Sequence, residues 1–445
     1  MGYLGISNIL LLSFSFMLIF ASFKVCLEIE QRVTITYRQA AHKDGIEFKA
    51  QGYNSLAILY GIFAISKWFG PIITDFLGIK LSCLIAGACY CFYMVSFIYP
   101  FIETIYIAAA LTGLAGGVLW TAQANIVISS TDTKHSKRDG RIFWGCMQFS
   151  RLLGNVFLVW ILSGTKAIGQ NQRILLYIVL AVACGVGSVL LLFIFPTKFI
   201  EKSKGDERAQ LKGDDETETL SDKILNPFKL FHLSMKTFFN SNAVWLVFIF
   251  VYTGFAFGFY STTYMTCIGN TKLFANPDEF IGIAGIILGI GEIIGGSLFG
   301  IAGEKKLCGR ISIICIGLLF HLFSYAFIYF NMPFKSPFME SYENAFWGKP
   351  SFLMAATCAF FLGLGDSCFY SQIYSILGEI FESNSPLVFE VFTFIQSLSI
   401  AGFFLLSVST TLHLLTIIIA AVGVVGVITF FIAEYQIRSA AKREL

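Results

Sequence analysis

Charge is scarce in this sequence: Asp, Glu, Lys and Arg supply only 13% of its 445 residues, where a soluble domain carries about 25%. That shortage, together with 56% hydrophobic residues and a mean hydropathy of +0.73, excludes a water-soluble globular chain. The net charge of +3 is small, and no basic cluster interleaves with aromatics in a polar domain, so nucleic acid is not an expected partner. Asn-x-Ser/Thr sequons are absent. The eleven cysteines show neither a metal-ligand spacing nor a disulfide framework. There is no nucleophile–base set and no phosphate-binding glycine loop either. No enzyme activity, metal or cofactor is therefore expected.

What the chain does have is apolar length. Runs of roughly 18 or more residues with few charges recur almost end to end, each long enough to cross a bilayer core of about 30 Å as a helix. Barrel strands would read as short alternating segments instead. The runs predict twelve membrane helices, at 5–29, 53–77, 79–100, 103–129, 142–163, 174–195, 242–266, 279–301, 311–331, 351–379, 386–408 and 412–434. The first lacks a basic leader and a small-residue cleavage site, so it reads as a helix and not as a signal peptide. The expected class is an all-α integral membrane protein whose main partner is the lipid bilayer.

One long polar stretch interrupts the pattern. It divides the chain into a six-helix unit (1–195), a linker (196–240), a second six-helix unit (241–434) and a tail (435–445). The linker core, 202–222, is dense in Lys, Asp, Glu and Thr and is expected to be disordered. Its end spaces Phe228, Phe231 and Met235 at helical intervals, which predicts a short amphipathic helix on the membrane surface. Nineteen basic residues fall in the loops on the side of the termini and nine on the other side, which places both termini and the linker in the cytosol. The sequence does not distinguish plasma membrane from endomembrane.

The halves echo each other. Gly113-Leu114-Ala115-Gly116-Gly117-Val118-Leu119-Trp120-Thr121 in the fourth helix corresponds to Gly363-Leu364-Gly365-Asp366-Ser367-Cys368-Phe369-Tyr370-Ser371 in the tenth. Lys67-Trp68-Phe69-Gly70 in the second corresponds to Glu292-Ile293-Ile294-Gly295 in the eighth. Six helices, a charged linker and six more is the plan of the major facilitators, whose halves are parallel repeats. The turn after the second helix resembles the facilitator loop motif: it keeps Asp75, Gly78 and Lys80, while Pro71 replaces a glycine and Phe76 an arginine. It reads either as a cytosolic latch between halves or as a tight turn with topogenic charge.

Three stretches carry a closer resemblance: Tyr53-Asn54-Ser55-Leu56-Ala57-Ile58-Leu59-Tyr60-Gly61, Leu119-Trp120-Thr121-Ala122-Gln123-Ala124-Asn125 and Ile290-Gly291-Glu292-Ile293-Ile294-Gly295-Gly296-Ser297-Leu298-Phe299-Gly300. With Gly363 to Phe369 they resemble the uncoordinated-93-like branch of the major facilitator superfamily. The resemblance implies two pseudo-symmetric six-helix bundles. Members of that branch are described as regulators of ion channels, escorts of receptors or orphan carriers. In facilitators helices 1, 4, 7 and 10 line a central cavity, which implies Gln123, Asn125, Tyr252, Thr253, Tyr260, Thr263, Asp366 and Gln372 as its polar lining.

Ionisable residues inside the membrane are costly, roughly 2.5–3.5 kcal/mol each at a helix centre, and mark sites or pairs. Lys67, Arg151, Glu292, Asp366 and Glu390 qualify. Asp366 reads as a functional acid, with a helix cross-link as the alternative. The facilitator arrangement packs helix 5 on helix 8 and helix 2 on helix 11. Arg151 is thereby expected to meet Glu292, both about 15 Å deep, and Lys67 the shallower Glu390. Lys24 and Glu28 are expected to pair along one helix face near its outer end. His321 is expected to be packed or at the lipid interface. Two functional readings stand: a transporter of a small, unidentified solute working by alternating access, and a transport-inactive regulator or escort of an ion channel or membrane receptor.

Overall fold

In hydrocarbon a backbone must satisfy its own N–H and C=O groups, and for long apolar runs the helix is the way to do so. The computed structural model accordingly describes a helical chain, covering residues 2–131, 136–165, 167–194, 227–239, 243–304, 309–381 and 385–443. The linker core expected to be disordered lies outside the described residues. The helices are α1 (Gly2–Lys43), α2 (Gly52–Leu77), α3 (Ile79–Val95), α4 (Ile102–Ser130), α5 (Ser136–Leu162) and α6 (Gln170–Phe193). Then come α7 (Pro227–Phe239), α8 (Val244–Asn270), α9 (Pro277–Glu304), α10 (Arg310–Asn331), α11 (Phe352–Ile380), α12 (Ser385–Ser407) and α13 (Leu412–Arg443). Among the described residues eleven of these are long and apolar enough to span a membrane, and α3 is a shorter apolar helix.

Several boundaries differ from the sequence expectation: α5 begins at Ser136 and not near 142, and α13 runs past 434 to Arg443. α1 does not stop near residue 29 but runs on to Lys43, because the polar residues that should end an apolar span are themselves buried against partners. α3 ends at Val95, five residues short of the expected end, and a turn leads on to Pro100. α8 extends to Asn270 and contains a π-turn, Phe259–Thr263, near its middle.

Packing repeats along the chain. α1 lies against α5 and α6, α2 against α4, and α3 against α4 and α6. In the same order α8 lies against α12 and α13, α9 against α11, and α10 against α11 and α13. The glycine-rich stretches explain the closest pairs. A Cβ on Gly113 would stand 2.4 Å from the Leu59 carbonyl oxygen of α2, and one on Gly363 would stand 2.1 Å from the Leu288 carbonyl oxygen of α9. Only a residue without a side chain lets those backbones meet. Between the two sets, α2 packs on α12, α5 on α9 and α1 on α8. The amphipathic α7 forms where the sequence placed it and crosses the α2–α12 seam, with Phe231 against Trp68 at 4.8 Å and Phe394 at 5.9 Å. Below, the end of the bundle where α2 turns into α3 is called proximal and the end where α1 meets α2 distal.

Candidate functional site

A cavity of about 400 Å³ opens between the two sets of helices. Its wall comes from α1 (Lys24), α2 (Tyr60, Lys67), α4 (Trp120), α5 (Arg151), α8 (Tyr260), α9 (Glu292), α11 (Asp366) and α12 (Gln396). The proximal end is its mouth: lining residues Trp144 and Tyr374 are 51% and 39% exposed. At the distal end it is roofed by aromatic rings. Tyr60 packs on Phe257 at 5.9 Å and on Phe404 at 6.0 Å, and Tyr53 stacks on Phe404 at 6.1 Å.

Above that roof lies an ion-pair network whose partners are distant in sequence. Arg32 of α1, fully buried, donates to both oxygens of Asp278 at 2.6 and 3.2 Å, to Asn270 Oδ1 at 3.0 Å and to Glu340 at 2.8 Å. Lys272 pairs with Glu340 at 3.1 Å, and the Tyr53 hydroxyl donates to the Pro337 carbonyl at 2.9 Å. Glu340 sits in the α10–α11 loop. Burial pushes its carboxyl up, but Arg32 and Lys272 outweigh that and hold it below the usual carboxylate range. Burial, with Arg32 nearby, holds the Lys272 ammonium below its ordinary value. A guanidinium serving three acceptors in this way is a well-satisfied buried charge.

A second cluster sits at mid-depth. Arg151 Nη1 donates to Glu28 at 2.5 Å, and Nε donates to Glu292 at 3.2 Å. The Arg151 guanidinium lies 5.8 Å from the Tyr260 ring, which the π-turn of α8 presents to the cavity. Such extra-residue turns re-aim side chains and are frequent at functional sites. Asp366 lines the cavity beside Tyr260 and within electrostatic reach of Glu292, Arg151 and Lys24. Lys67 lies 3.6 Å from Glu390 and donates to the Thr393 hydroxyl at 3.3 Å.

The expected site residues therefore divide. Tyr260, Asp366, Arg151, Glu292 and Lys67 line one cavity, and Glu390 adjoins it through Lys67. The others do not line it. Tyr252 points into the α8–α10–α11 interior, where its hydroxyl meets His321 Nδ1 at 2.6 Å. His321 Nε2 must donate to the Leu362 carbonyl at 3.0 Å, so Nδ1 accepts from Tyr252, and the histidine is wholly buried and not at the lipid interface. Thr253 stands behind the lining residue Gln396, which donates to it at 3.1 Å. Thr263 bonds Ser407 at 3.4 Å between α8 and α12. Gln372 is buried against Ser371 at 2.9 Å, Asn125 is exposed and Gln123 half-buried. Helix rotation, which composition does not report, turned these six away. In the loop motif, Gly78 takes φ +77° between α2 and α3, Asp75 ends α2 on an exposed face, and Lys80 donates to the Leu192 carbonyl at 2.9 Å within its own half.

Lys24 and Glu28 do not pair with each other. Lys24 donates to the Met147 carbonyl at 3.2 Å, and Glu28 is taken by Arg151. The sequence reading expected the Arg151–Glu292 contact but missed Glu28 as the second partner of Arg151 and missed the distal network, yet a signal was present: Lys24, Glu28 and Arg32 recur every fourth residue and so share one face of α1.

Comparison with known proteins supplies relatives across the chain. The family model described as ion channel regulatory protein UNC-93 matches residues 42–431. The UNC93-like protein MFSD11 of Xenopus tropicalis is 35% identical over 434 residues, covering 96% of each chain. Among solved structures, a D-xylose-proton symporter superposes with a TM-score of 0.66 at 12% identity, covering 97% of both chains. A POT family transporter crystallised with 5-aminolevulinic acid gives 0.65 at 13% identity, covering 96% of this chain and 95% of its own. These structural likenesses concern the fold, which is that of membrane transporters of the major facilitator type.

Proposed function

This chain belongs to the UNC-93 family, and we propose that it is a solute carrier working by alternating access, built as two six-helix bundles of twelve membrane helices. The bundles are 1–195 and 241–434, joined by the linker 196–240 and followed by a tail at 435–445, with both termini in the cytosol. The repeated packing order supports the two-bundle reading, and the distribution of basic loop residues supports the orientation.

The observation that carries the transport reading is a charged, aromatic cavity open at one end and sealed by paired charges at the other. A carrier must close one gate while the other is open, and a sealed end made of inter-bundle ion pairs is a device that can exchange. In this reading Arg151, Glu28 and Glu292 join α1, α5 and α9 at the pivot, Lys67 and Glu390 join α2 and α12 at the mouth, and Asp366 faces the solute. The test is uptake by the purified chain in liposomes against a broad solute panel. Accumulation that Asp366→Asn abolishes at normal expression supports the reading; no uptake of any solute overturns it.

The family description favours a second reading, regulation of an ion channel or escort of a membrane receptor. Under it, affinity capture from membranes returns a stoichiometric partner, and Asp366→Asn leaves that partner bound and its activity unchanged.

A further inference from the structure

We propose that the mid-depth cluster holds one exchangeable positive charge: a proton on Asp366 when the cavity is empty, and the head of an aromatic or apolar organic cation when it is loaded. This rests on reading the cavity as a solute site and names the class of solute.

Five charged side chains meet in the cluster. Arg151, Glu28, Glu292 and Asp366 all lie within electrostatic reach of Lys24. Arg151 bonds two of the carboxylates, Glu28 and Glu292, while Asp366 makes no ion pair with a described residue. Lys67 and Glu390, at 3.6 Å, match each other. With every group ionised, three carboxylates face two cations, and a neutral Lys24 only enlarges the excess. A low-dielectric site does not keep an unmatched charge; it takes up a proton or an ion. Among the described residues, the packing around Asp366 offers no further cation. α8 brings Tyr252 and Tyr260 within its reach, and α10 brings Tyr325. His321 of α10 spends its ring nitrogens on Tyr252 and the Leu362 carbonyl. From α12, Gln396 donates to the Tyr370 hydroxyl at 2.6 Å.

The wall suits an organic cation better than a metal ion. A hard metal ion asks for several oxygen ligands at once, whereas aromatic faces dominate here. Tyr370 and Tyr374 stand within electrostatic reach of Asp366, as Tyr260 does. Phe257 packs on Tyr260 at 5.6 Å, and Phe392 on Tyr374 at 6.0 Å. The cavity already seats cations on rings: Arg151 lies 5.8 Å from the Tyr260 centroid and Lys67 6.0 Å from that of Phe63. A cation over an aromatic face gains from the ring's quadrupole, and gains more when desolvated. A volume of about 400 Å³ lies in the range of small-molecule sites. Exchange follows because proton and organic cation match the same excess carboxylate. The arriving cation releases the proton from Asp366 to water at the proximal mouth. A cluster holding neither keeps its unmatched charge hydrated and resists closure, which couples the two cargoes in opposite directions.

The experiment is isothermal titration of the purified full-length chain with phenyltrimethylammonium and benzyltrimethylammonium, from about pH 5 to about pH 9. These cations carry no titratable proton, so any pH dependence belongs to the protein. Two buffers of different ionisation enthalpy count the protons released. At least one probe is expected to bind, releasing about one proton per cation at the acid end, with affinity rising there by up to about tenfold per pH unit. The uncharged isostere tert-butylbenzene and the anion benzenesulfonate are expected to bind about thirtyfold or more weakly and to release no proton. Asp366→Asn is expected to abolish proton release and pH dependence, whereas Asp366→Glu retains both. Lys24→Gln deepens the excess and is expected to tighten cation binding, which a general packing defect does not do. The wild-type series decides the matter even where a variant fails to fold. No binding by either cation, binding without proton release at any pH, or equal binding of the isostere overturns the proposal. Proton release retained by folded Asp366→Asn overturns the assignment to Asp366, and weaker cation binding by folded Lys24→Gln overturns the excess carboxylate. Displacement of the probe when millimolar sodium replaces N-methylglucamine overturns the organic cation in favour of an inorganic one. Proton-releasing binding without uptake into proteoliposomes under an imposed pH gradient sinks the transport reading and leaves this site standing. Uptake only of uncharged or anionic solutes sinks this proposal and leaves transport standing.

Discussion

Replacing Arg32 by Gln should unseal the distal end. In the wild type the guanidinium holds Asp278 through two hydrogen bonds and Glu340 and Asn270 through one each, with both Arg32 and Asp278 wholly buried. Arg32→Gln strands the Asp278 carboxylate, because the nearby Lys272 is engaged with Glu340. Removing one partner of a buried pair costs about 3–5 kcal/mol. That cost falls on the distal-closed arrangement alone, since opening lets Asp278 hydrate. The closed-to-open ratio therefore drops by roughly 150- to 5,000-fold. A native reporter sits under the seal: Cys267 is fully buried in α8, one turn before Asn270. In nanodiscs a hydrophilic thiol reagent, read by peptide mass spectrometry, should modify Cys267 far faster in Arg32→Gln than in the wild type. Adding Asp278→Asn removes the stranded charge and should slow the labelling again. Equal Cys267 labelling in wild type and Arg32→Gln, at matched expression and helicity, refutes the reasoning. So does a double variant that labels as fast as the single one.

Three further outcomes follow from the same geometry. Glu340 has its carboxyl held below the ordinary range, so its contribution is complete above that range and is lost as pH falls through the lowered value. The melting-temperature gap between wild type and Glu340→Gln should therefore be constant near neutrality and close below about pH 4. Arg151→Met strands Glu28 and Glu292 together and should lower the melting temperature strongly, about 3–5 kcal/mol of destabilisation. Adding Glu28→Gln and Glu292→Gln should recover much of that loss, and a cycle without coupling between these sites removes the triad as a unit. Gly363→Leu must push α11 off α9, because even a Cβ there meets the Leu288 carbonyl oxygen at 2.1 Å. A fall in melting temperature equivalent to about 1–3 kcal/mol is expected, and a neutral result shows that the helices separate more freely than their packing implies.

The sequence by itself determined the elements that depend on local composition. A run of apolar residues long enough to cross hydrocarbon must be helical wherever it packs, so the spans and α7 were legible from hydropathy and spacing. The cost of burying charge singled out Arg151, Glu292, Asp366 and Lys67 before any contact was known. The direction in which a helix turns its polar residues is a different kind of quantity. It depends on neighbours from the other end of the chain, so Tyr252, Thr253 and Thr263 face partners inside their own set of helices instead of the cavity. The π-turn that aims Tyr260 leaves no mark in Phe259-Tyr260-Ser261-Thr262-Thr263 as a string of residues. The length of α1 was misread for the same reason. Glu28, Glu30 and Arg32 look like the polar end of a span until tertiary structure provides Arg151, the Tyr93 hydroxyl and Asp278 to receive them. Hydropathy sums over a chain's own residues, whereas the free energy of a buried charge is set by the group across from it. For Arg32 that group lies 246 residues away, and only the folded chain brings the two together.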